Sequence, residues 1–212
     1  IRKATPNENI FFSPYSTYHA LLLAYFGARS HSEKELVTAM RLDWAKNRDE
    51  IRSGYRFEKH SRLMRAKKMP LEFSSADKVF FDKSISLTSC VKDVLFDELE
   101  SKDFATQPEQ CRKDINEWIS NITHKEIPEM LSAGDITEQT QMVLANAAYF
   151  KGQWMHKFDP ADTAKDIFYS TPSNLSFVQM MHQTGTYDLT TDERLGAYVL
   201  SMPYLTSKNE QE

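Results

Sequence analysis

The sequence predicts a mixed α+β fold, and three observations carry that prediction. Segments with helical apolar periodicity fill the first third of the chain and return in its middle. The run Met142–Phe150 is almost continuously apolar and of strand length, which is typical of a strand buried on both faces in the middle of a large sheet. Two further strand-like segments, Phe177–Met181 and Ala197–Met202, follow it. Helices that share a chain with such strands indicate helices packed on a sheet.

The first elements are predicted to be a strand followed by three helices. Asn9–Pro14 reads as a short buried strand that enters a helix over Tyr15–Phe26, which stops at Gly27. The segment Ser32–Glu35 fits a capping box at the start of a second helix. A third helix is predicted over Asp49–Arg65.

The middle of the chain alternates between strand and helix signals. Val79–Phe81 and Ile85–Leu87 bracket a strand-like stretch with a charged turn between them. A helix is predicted after Thr88, with apolar residues at helical spacing as far as Leu99. A second capping box, Thr106–Glu109, opens another helix. The apolar face of this helix carries Ile115, Trp118, Ile119 and Ile122.

Composition excludes several classes of protein. The 212 residues carry 26 basic and 30 acidic side chains, a balance that disfavours a general nucleic-acid binder. No apolar run reaches the roughly eighteen residues that a membrane-spanning helix needs, so no membrane partner is expected. Cys90 and Cys111 are best interpreted as two free or buried thiols, and the sequence leaves their pairing open.

Two glycosylation sequons, which begin at Asn121 and Asn174, favour a secreted glycoprotein. The chain begins at Ile1 without a signal peptide, which indicates that it has been processed or that its start is missing.

Motifs for catalysis are missing from the sequence. The six histidines form no His-Glu-x-x-His pair, and the chain contains neither Cys-x-x-Cys nor Gly-x-Ser-x-Gly. We therefore predict a protein that is not an enzyme and has no catalytic residue, no metal and no cofactor. An enzyme of unrelated chemistry in a mixed fold is the disfavoured alternative.

The segments, taken in order, resemble the serpin family of serine protease inhibitors. The matching segments are Asn9–Ser16, Lys78–Phe81, Ile115–Ile119, Val143–Trp154 and Val178–Met181. Their order and spacing agree with the family along nearly the whole chain. The resemblance, closest to secreted inhibitory serpins of the invertebrate type, implies helices around a large central β-sheet with smaller flanking sheets.

Two departures accompany this resemblance. The family usually has Gly-Lys where this chain has Lys125-Glu126, which can alter how the helix before it ends. In addition, what the family places after Glu212, including the reactive loop, is absent, and the opening helix is incomplete. Residues 1–212 are therefore expected to form one partial serpin domain, and the residue that would select the target protease lies outside it.

The resemblance also implies a mechanism and the residues that serve it. Inhibitory serpins are metastable, and a loop cleaved by the protease inserts into the central sheet while the protease is still covalently attached. By resemblance, Ser13, Ser16 and Asn146 form the shutter, a latch on sheet opening, and Trp154 lies at the breach, where the loop enters. The simpler alternatives are helix N-caps, a satisfied core amide and an ordinary core tryptophan.

The segment Asp49–Lys68 is basic, with seven basic residues against three acidic ones. On a helix Arg52, Arg56 and Lys59 fall on one face, which Arg62 flanks. Resemblance to the helix that binds sulfated glycosaminoglycan in heparin-activated serpins implies heparin or heparan sulfate as an activator. The alternative is a solvated helix face with incidental charge.

The expected partner is thus a target serine protease, held in a covalent complex. A non-inhibitory serpin that acts as a carrier, chaperone or storage protein is the alternative function.

Overall fold

The computed structural model describes residues 13–66 and 72–205. These residues form two compact units, an N-terminal unit of residues 13–66 and 72–150 and a C-terminal unit of residues 151–205. Residues 9–12 of the predicted first strand lie outside the described residues.

The elements confirm a mixed α+β fold. The N-terminal unit holds a three-stranded sheet of order β2-β1-β3, in which β1 and β2 are parallel. The C-terminal unit holds two antiparallel hairpins, β4-β5 and β6-β7. The helices are α1 Pro14–Gly27, α2 Ser30–Ala39, α3 Arg48–Ala66, α4 Ser89–Val94 and α5 Pro108–Ile122, and short 3₁₀ turns cover Leu42–Trp44 and Pro160–Asp162. The strands are β1 Glu72–Asp82, β2 Leu99–Lys102, β3 Met142–Lys151, β4 Ala164–Thr171, β5 Asn174–Met180, β6 Asp188–Asp192 and β7 Ala197–Ser201.

Two hydrophobic cores lie on opposite faces of the sheet. Val79 of β1 belongs to the core formed with α1, α3 and α4, while its neighbour Phe80 belongs to the core formed with α5. On β3, Leu144 packs against the first core and Ala145 lies in the second. Because successive strand residues point to opposite faces, a sheet covered on both sides needs continuous apolar runs. On β3 the face towards α5 is buried at Ala145 and Ala147, whereas Leu144 and Asn146 on the other face are half-buried. Because β3 is an outer strand of the described sheet, the predicted central position is not seen.

Both predicted capping boxes are wrong, because other residues take the capping position. Helix α2 begins at Ser30 with Arg29 in extended conformation before it, so Ser32 lies inside the first turn. Helix α5 begins at Pro108. The Thr106 hydroxyl instead donates to the Asp103 carboxylate at 2.6 Å, which occupies the side chain that the capping box requires.

Two boundaries in the middle of the chain also differ from the prediction. The helix that was predicted to continue to Leu99 ends at Val94. The backbone N–H of Val79 donates to the Glu98 carbonyl at 2.7 Å, so the chain joins the sheet as β2 from Leu99. The predicted strand at Ile85–Leu87 is not formed. The Asp82 carboxylate accepts from the N–H and hydroxyl of Ser84, which turns the chain away from the sheet at the expected charged turn.

Helix α5 ends in a turn with two left-handed residues. His124 has φ 52° and Lys125 has φ 70°. The Lys125 N–H donates to the Ser120 carbonyl at 2.7 Å and the His124 N–H to the Asn121 carbonyl at 3.4 Å, which is the Schellman pattern. Side chains with a Cβ are strained in this conformation, so the structure explains why a glycine suits position 125.

We predict that Lys125→Gly stabilises the protein by about 0.5 to 1 kcal/mol, because glycine adopts φ 70° without the steric cost of a Cβ. The expected measurement is a higher midpoint of thermal unfolding. Lys125→Ala is the matched control, since it removes the same charge but keeps the Cβ. Equal stabilisation by both variants would contradict the backbone explanation.

Candidate functional site

Two serines stabilise the start of α1. The N–H of Ser16 donates to the Ser13 Oγ at 3.2 Å, and the Ser13 hydroxyl donates to the Ser16 Oγ at 3.0 Å. Ser13 is thus the N-cap of α1, and Ser16 is buried. This is the geometry of a helix N-cap, the simpler alternative that the sequence offered for these serines. The two hydroxyls lie at the start of the helix that packs on the sheet.

The amide of Asn146 binds a buried carboxylate. Its Nδ2 donates to Asp77 Oδ1 at 2.6 Å, across the sheet from β3 to β1. Asp77 and Val79 lie on the same face of β1, and Asn146 lies on the same face of β3 as Leu144, so this bond faces the core that contains α1. Burial raises the pKa of Asp77, whereas the hydrogen bond from Asn146 lowers it.

Asp77 is a residue of this site that was not predicted from the sequence. A signal was available, because this aspartate stands in a strand directly before the apolar run that begins at Val79. A charged residue in that context must be paired inside the protein or lie at an edge.

His19 is the second buried titratable group at this site. It follows Ser16 by one helical turn, with its Nε2 atom 3.5 Å from Glu58 Oε2 of α3 and its ring 4.3 Å from that of Tyr15. Burial lowers the pKa of His19, while Glu58 and then Asp77 oppose this shift. Among the described residues, no hydrogen bond joins the pair Ser13 and Ser16 to Asn146.

A second buried carboxylate ties α3 to the sheet. Glu98, only 6% exposed and next to β2, accepts from the Tyr55 hydroxyl at 2.9 Å and from Lys59 Nζ at 2.5 Å. Lys59 also binds Asp97 at 2.8 Å. Burial opposes the charge of Lys59, but these two carboxylates outweigh it and raise the pKa of Lys59. Lys59 is therefore a structural cation as well as a member of the basic face.

The other three cations predicted for the basic face also have partners within the protein. Arg52 pairs with Asp49 at 2.9 Å. Arg56 donates to the Asp93 carbonyl at 2.7 Å. Arg62 donates to the Tyr15 hydroxyl at 3.3 Å and lies over its ring. A sulfated ligand would have to compete with these contacts.

Trp154 lies in the C-terminal unit, stacked on Tyr204. The ring centroids are 4.5 Å apart and the planes differ by 9°. Two backbone hydrogen bonds flank the stack, from Met155 N–H to the Pro203 carbonyl at 2.9 Å and from Leu205 N–H to the Gln153 carbonyl at 2.7 Å. The tryptophan thus anchors the segment that follows β3 to the end of the described chain.

The predicted glycosylation sites differ in their surroundings. Asn174 is exposed at the start of β5 with Ser176 also exposed, whereas Asn121 is exposed in the last turn of α5 but its Thr123 is 1% exposed. Cys90 is an exposed free thiol and Cys111 a buried one. In the part of the chain that the structure describes, no acidic, histidine and cysteine side chains cluster as metal ligands, and no helix is long and apolar enough to span a membrane.

Comparison with known proteins places these features in a family. The model of the family described as Serpin (serine protease inhibitor) matches residues 1–211. Serine protease inhibitor 88Ea of Drosophila melanogaster is 53% identical over 212 residues, which are 100% of this chain and 50% of that protein. Antithrombin-III of Ovis aries is 34% identical over 203 residues, which are 93% of this chain and 43% of that protein. The chain thus spans about half the length of these curated relatives.

A solved structure agrees with the same assignment. Ovalbumin from emu (Dromaius novaehollandiae) superimposes with a TM-score of 0.81 at 25% sequence identity, covering 95% of this chain and 57% of that chain.

We predict that Asn146→Ala lowers the free energy of unfolding by about 1 to 3 kcal/mol, because Asp77 then loses the hydrogen-bond donor that Asn146 supplies. The measurement is the urea unfolding midpoint. Asn47→Ala is a matched control, since the Asn47 side chain caps the exposed start of α3 by accepting from the Glu50 N–H at 3.1 Å. Equal losses from the two substitutions would show that burial adds nothing to the Asn146 bond.

Proposed function

The chain belongs to the serpin family, and from that membership we propose that the intact protein inhibits a serine protease by suicide loop insertion and is not an enzyme. The observation that carries the proposal is the family match over residues 1–211. A supporting observation is the 53% identity to a protein named as a serine protease inhibitor.

The proposed mechanism uses the protease's own chemistry. The protease serine attacks the carbonyl of the scissile peptide bond, forms an ester with that carbonyl and releases the new amino terminus. Insertion of the freed loop as an added strand then moves and distorts the acylated protease before water can hydrolyse the ester. The central sheet must therefore open, and the groups that hold it closed control the rate of loop insertion.

Within this mechanism, Ser13, Ser16 and Asn146 are proposed to act as the shutter. The serines lie at the start of α1, and Asn146 lies on the face of β3 towards the core that contains α1. The bond from Asn146 to Asp77 joins β3 to β1, so a movement of one strand relative to the other would break it. Trp154 is proposed as the breach residue. Its stacking on Tyr204 supplies a rigid aromatic surface within the C-terminal unit.

We expect the inhibitor to be secreted and glycosylated at Asn121 and Asn174. Both asparagines are exposed, and the open hairpin around Asn174 presents the whole sequon. A band that N-glycosidase does not shift on the gels described next would contradict this expectation.

We predict that the intact protein forms a covalent complex with a trypsin-like or chymotrypsin-like protease that survives denaturing gel electrophoresis. An ester bond to the protease is stable once the protease active site is distorted, so the complex should persist in detergent. A protease inactivated at its serine is the control, because it cannot acylate. If every active protease yields only cleaved protein, the inhibitory proposal fails and a carrier, chaperone or storage role is favoured.

The second part of the proposal is activation by heparin or heparan sulfate at α3. Arg52, Arg56, Lys59 and Arg62 recur about once per turn along this helix, which gives a polyanion several cations in a row. Their internal partners include backbone and hydroxyl oxygens, which a sulfate can replace as acceptors.

We predict that heparin binds with an affinity that falls steeply as salt rises, because counterion release drives the association. The double variant Arg52→Ala with Arg56→Ala should elute from a heparin column at clearly lower salt and lose heparin acceleration of inhibition. Lys59 is left intact because it holds the buried Glu98.

The control for heparin binding is Lys34→Ala with Lys113→Ala, two exposed lysines on α2 and α5, which removes the same net charge. Elution of both double variants at the same salt would show that the cations of α3 are a solvated helix face and not a heparin site.

A further inference from the structure

Two aspartates on β1 are buried, yet their environments are opposite. Asp77 is 9% exposed and Asp82 is 4% exposed. Asp82 accepts from the N–H and hydroxyl of Ser84 and from the N–H of Phe104 at 3.0 Å, and these bonds lower its pKa. The charge of Asp82 is therefore well stabilised by hydrogen bonds from the protein.

The hydrogen bond that the structure gives Asp77 comes from the Asn146 amide. The charged and titratable groups near it are His19 of α1, Tyr55 and Arg62 of α3, and Glu98, which precedes β2. His19 and Arg62 favour the charge of Asp77 and Glu98 disfavours it, but burial outweighs the favourable contributions. A carboxylate in this position is poorly solvated while the sheet stays closed.

We propose that Asp77 is a further member of the shutter, a positioning residue that holds Asn146 while its buried charge keeps the closed sheet from being fully stable. This inference rests on the proposed loop-insertion function, because it concerns the equilibrium that the function exploits. Its structural basis is the hydrogen bond from Asn146 on β3 to the buried carboxylate of Asp77, on the face of the sheet that packs against α1. Opening of the sheet relative to α1 gives the carboxylate access to water or to new donors, so the charge favours opening.

The substitutions Asp77→Asn and Asp82→Asn on the same strand give opposite predictions. Asparagine at position 77 still accepts from Asn146 through its carbonyl but carries no charge, so heat-induced conversion of the intact protein to polymer should slow by about fivefold at pH 7.5. Asparagine at position 82 weakens bonds to Ser84 and Phe104 that the charge strengthens, so conversion should accelerate. Native gels after mild heating measure both rates.

A pH series separates the charge of Asp77 from a merely structural effect. Because its folded pKa is raised, Asp77 adds stability below its unfolded value of 3.8 and loses that contribution as pH rises through the folded pKa. The rate difference between wild type and Asp77→Asn should therefore be largest at pH 7.5 and shrink steadily as the pH is lowered towards 4. Both proteins are also compared in a His19→Gln background, which removes the titration of His19, the neighbour with the lowered pKa.

Two results would overturn the inference: conversion of Asp77→Asn as fast as that of wild type at pH 7.5, or a rate difference that does not depend on pH. Asp77→Ala tests the positioning role, since it should accelerate conversion and the further loss from Asn146→Ala should be less than additive. Additive losses would show that Asp77 acts independently of Asn146 and is not part of the shutter. These rates are measured without a protease, so failure to form a covalent complex would reject the proposed function alone.

Discussion

The sheet is covered on both faces, so a charged side chain that β1 or β3 turns towards a helix is costly unless it is paired within the protein. On the face towards α5, Lys78 lies over the rings of Phe80 and Trp118 and pairs with Glu100 at 2.6 Å. On the face towards α1, Asp77 has the neutral amide of Asn146 as its hydrogen-bond donor. On one face the half-buried charge of Lys78 is thus neutralised by a direct ion pair, while on the other the buried charge of Asp77 is supported mainly by an amide.

Apolar periodicity predicted the parts of the fold that depend on burial alone. The helix at Tyr15–Phe26 and the strand at Met142–Phe150 appear within a residue or two of their predicted bounds. The pattern failed where side chains compete for the same partner, as when Asp103 takes the hydroxyl of Thr106. It also missed Asp77 and Glu98, because a charged residue in a sequence is ordinarily read as exposed and only the tertiary structure shows what surrounds it.

The basic helix shows that a count of charged residues does not give the electrostatic potential that a ligand would encounter. From the sequence, Lys59 adds one positive charge to a stripe of arginines. In the structure it neutralises a carboxylate that would otherwise be buried without a cation, and a second carboxylate lies within 2.8 Å of it. A ligand that bound Lys59 in place of Glu98 would leave this buried carboxylate with the Tyr55 hydroxyl as its remaining donor.

The bond between Asn146 and Asp77 joins residues 69 positions apart in the chain. Contacts within α1, or between β1 and the nearby β2, close much shorter loops and so form with a smaller loss of chain entropy. Both cores are completed only when β3 joins β1, because Leu144 packs against one core and Ala145 lies in the other. Chain entropy therefore favours late formation of the bond between Asn146 and Asp77, together with the closure of the sheet.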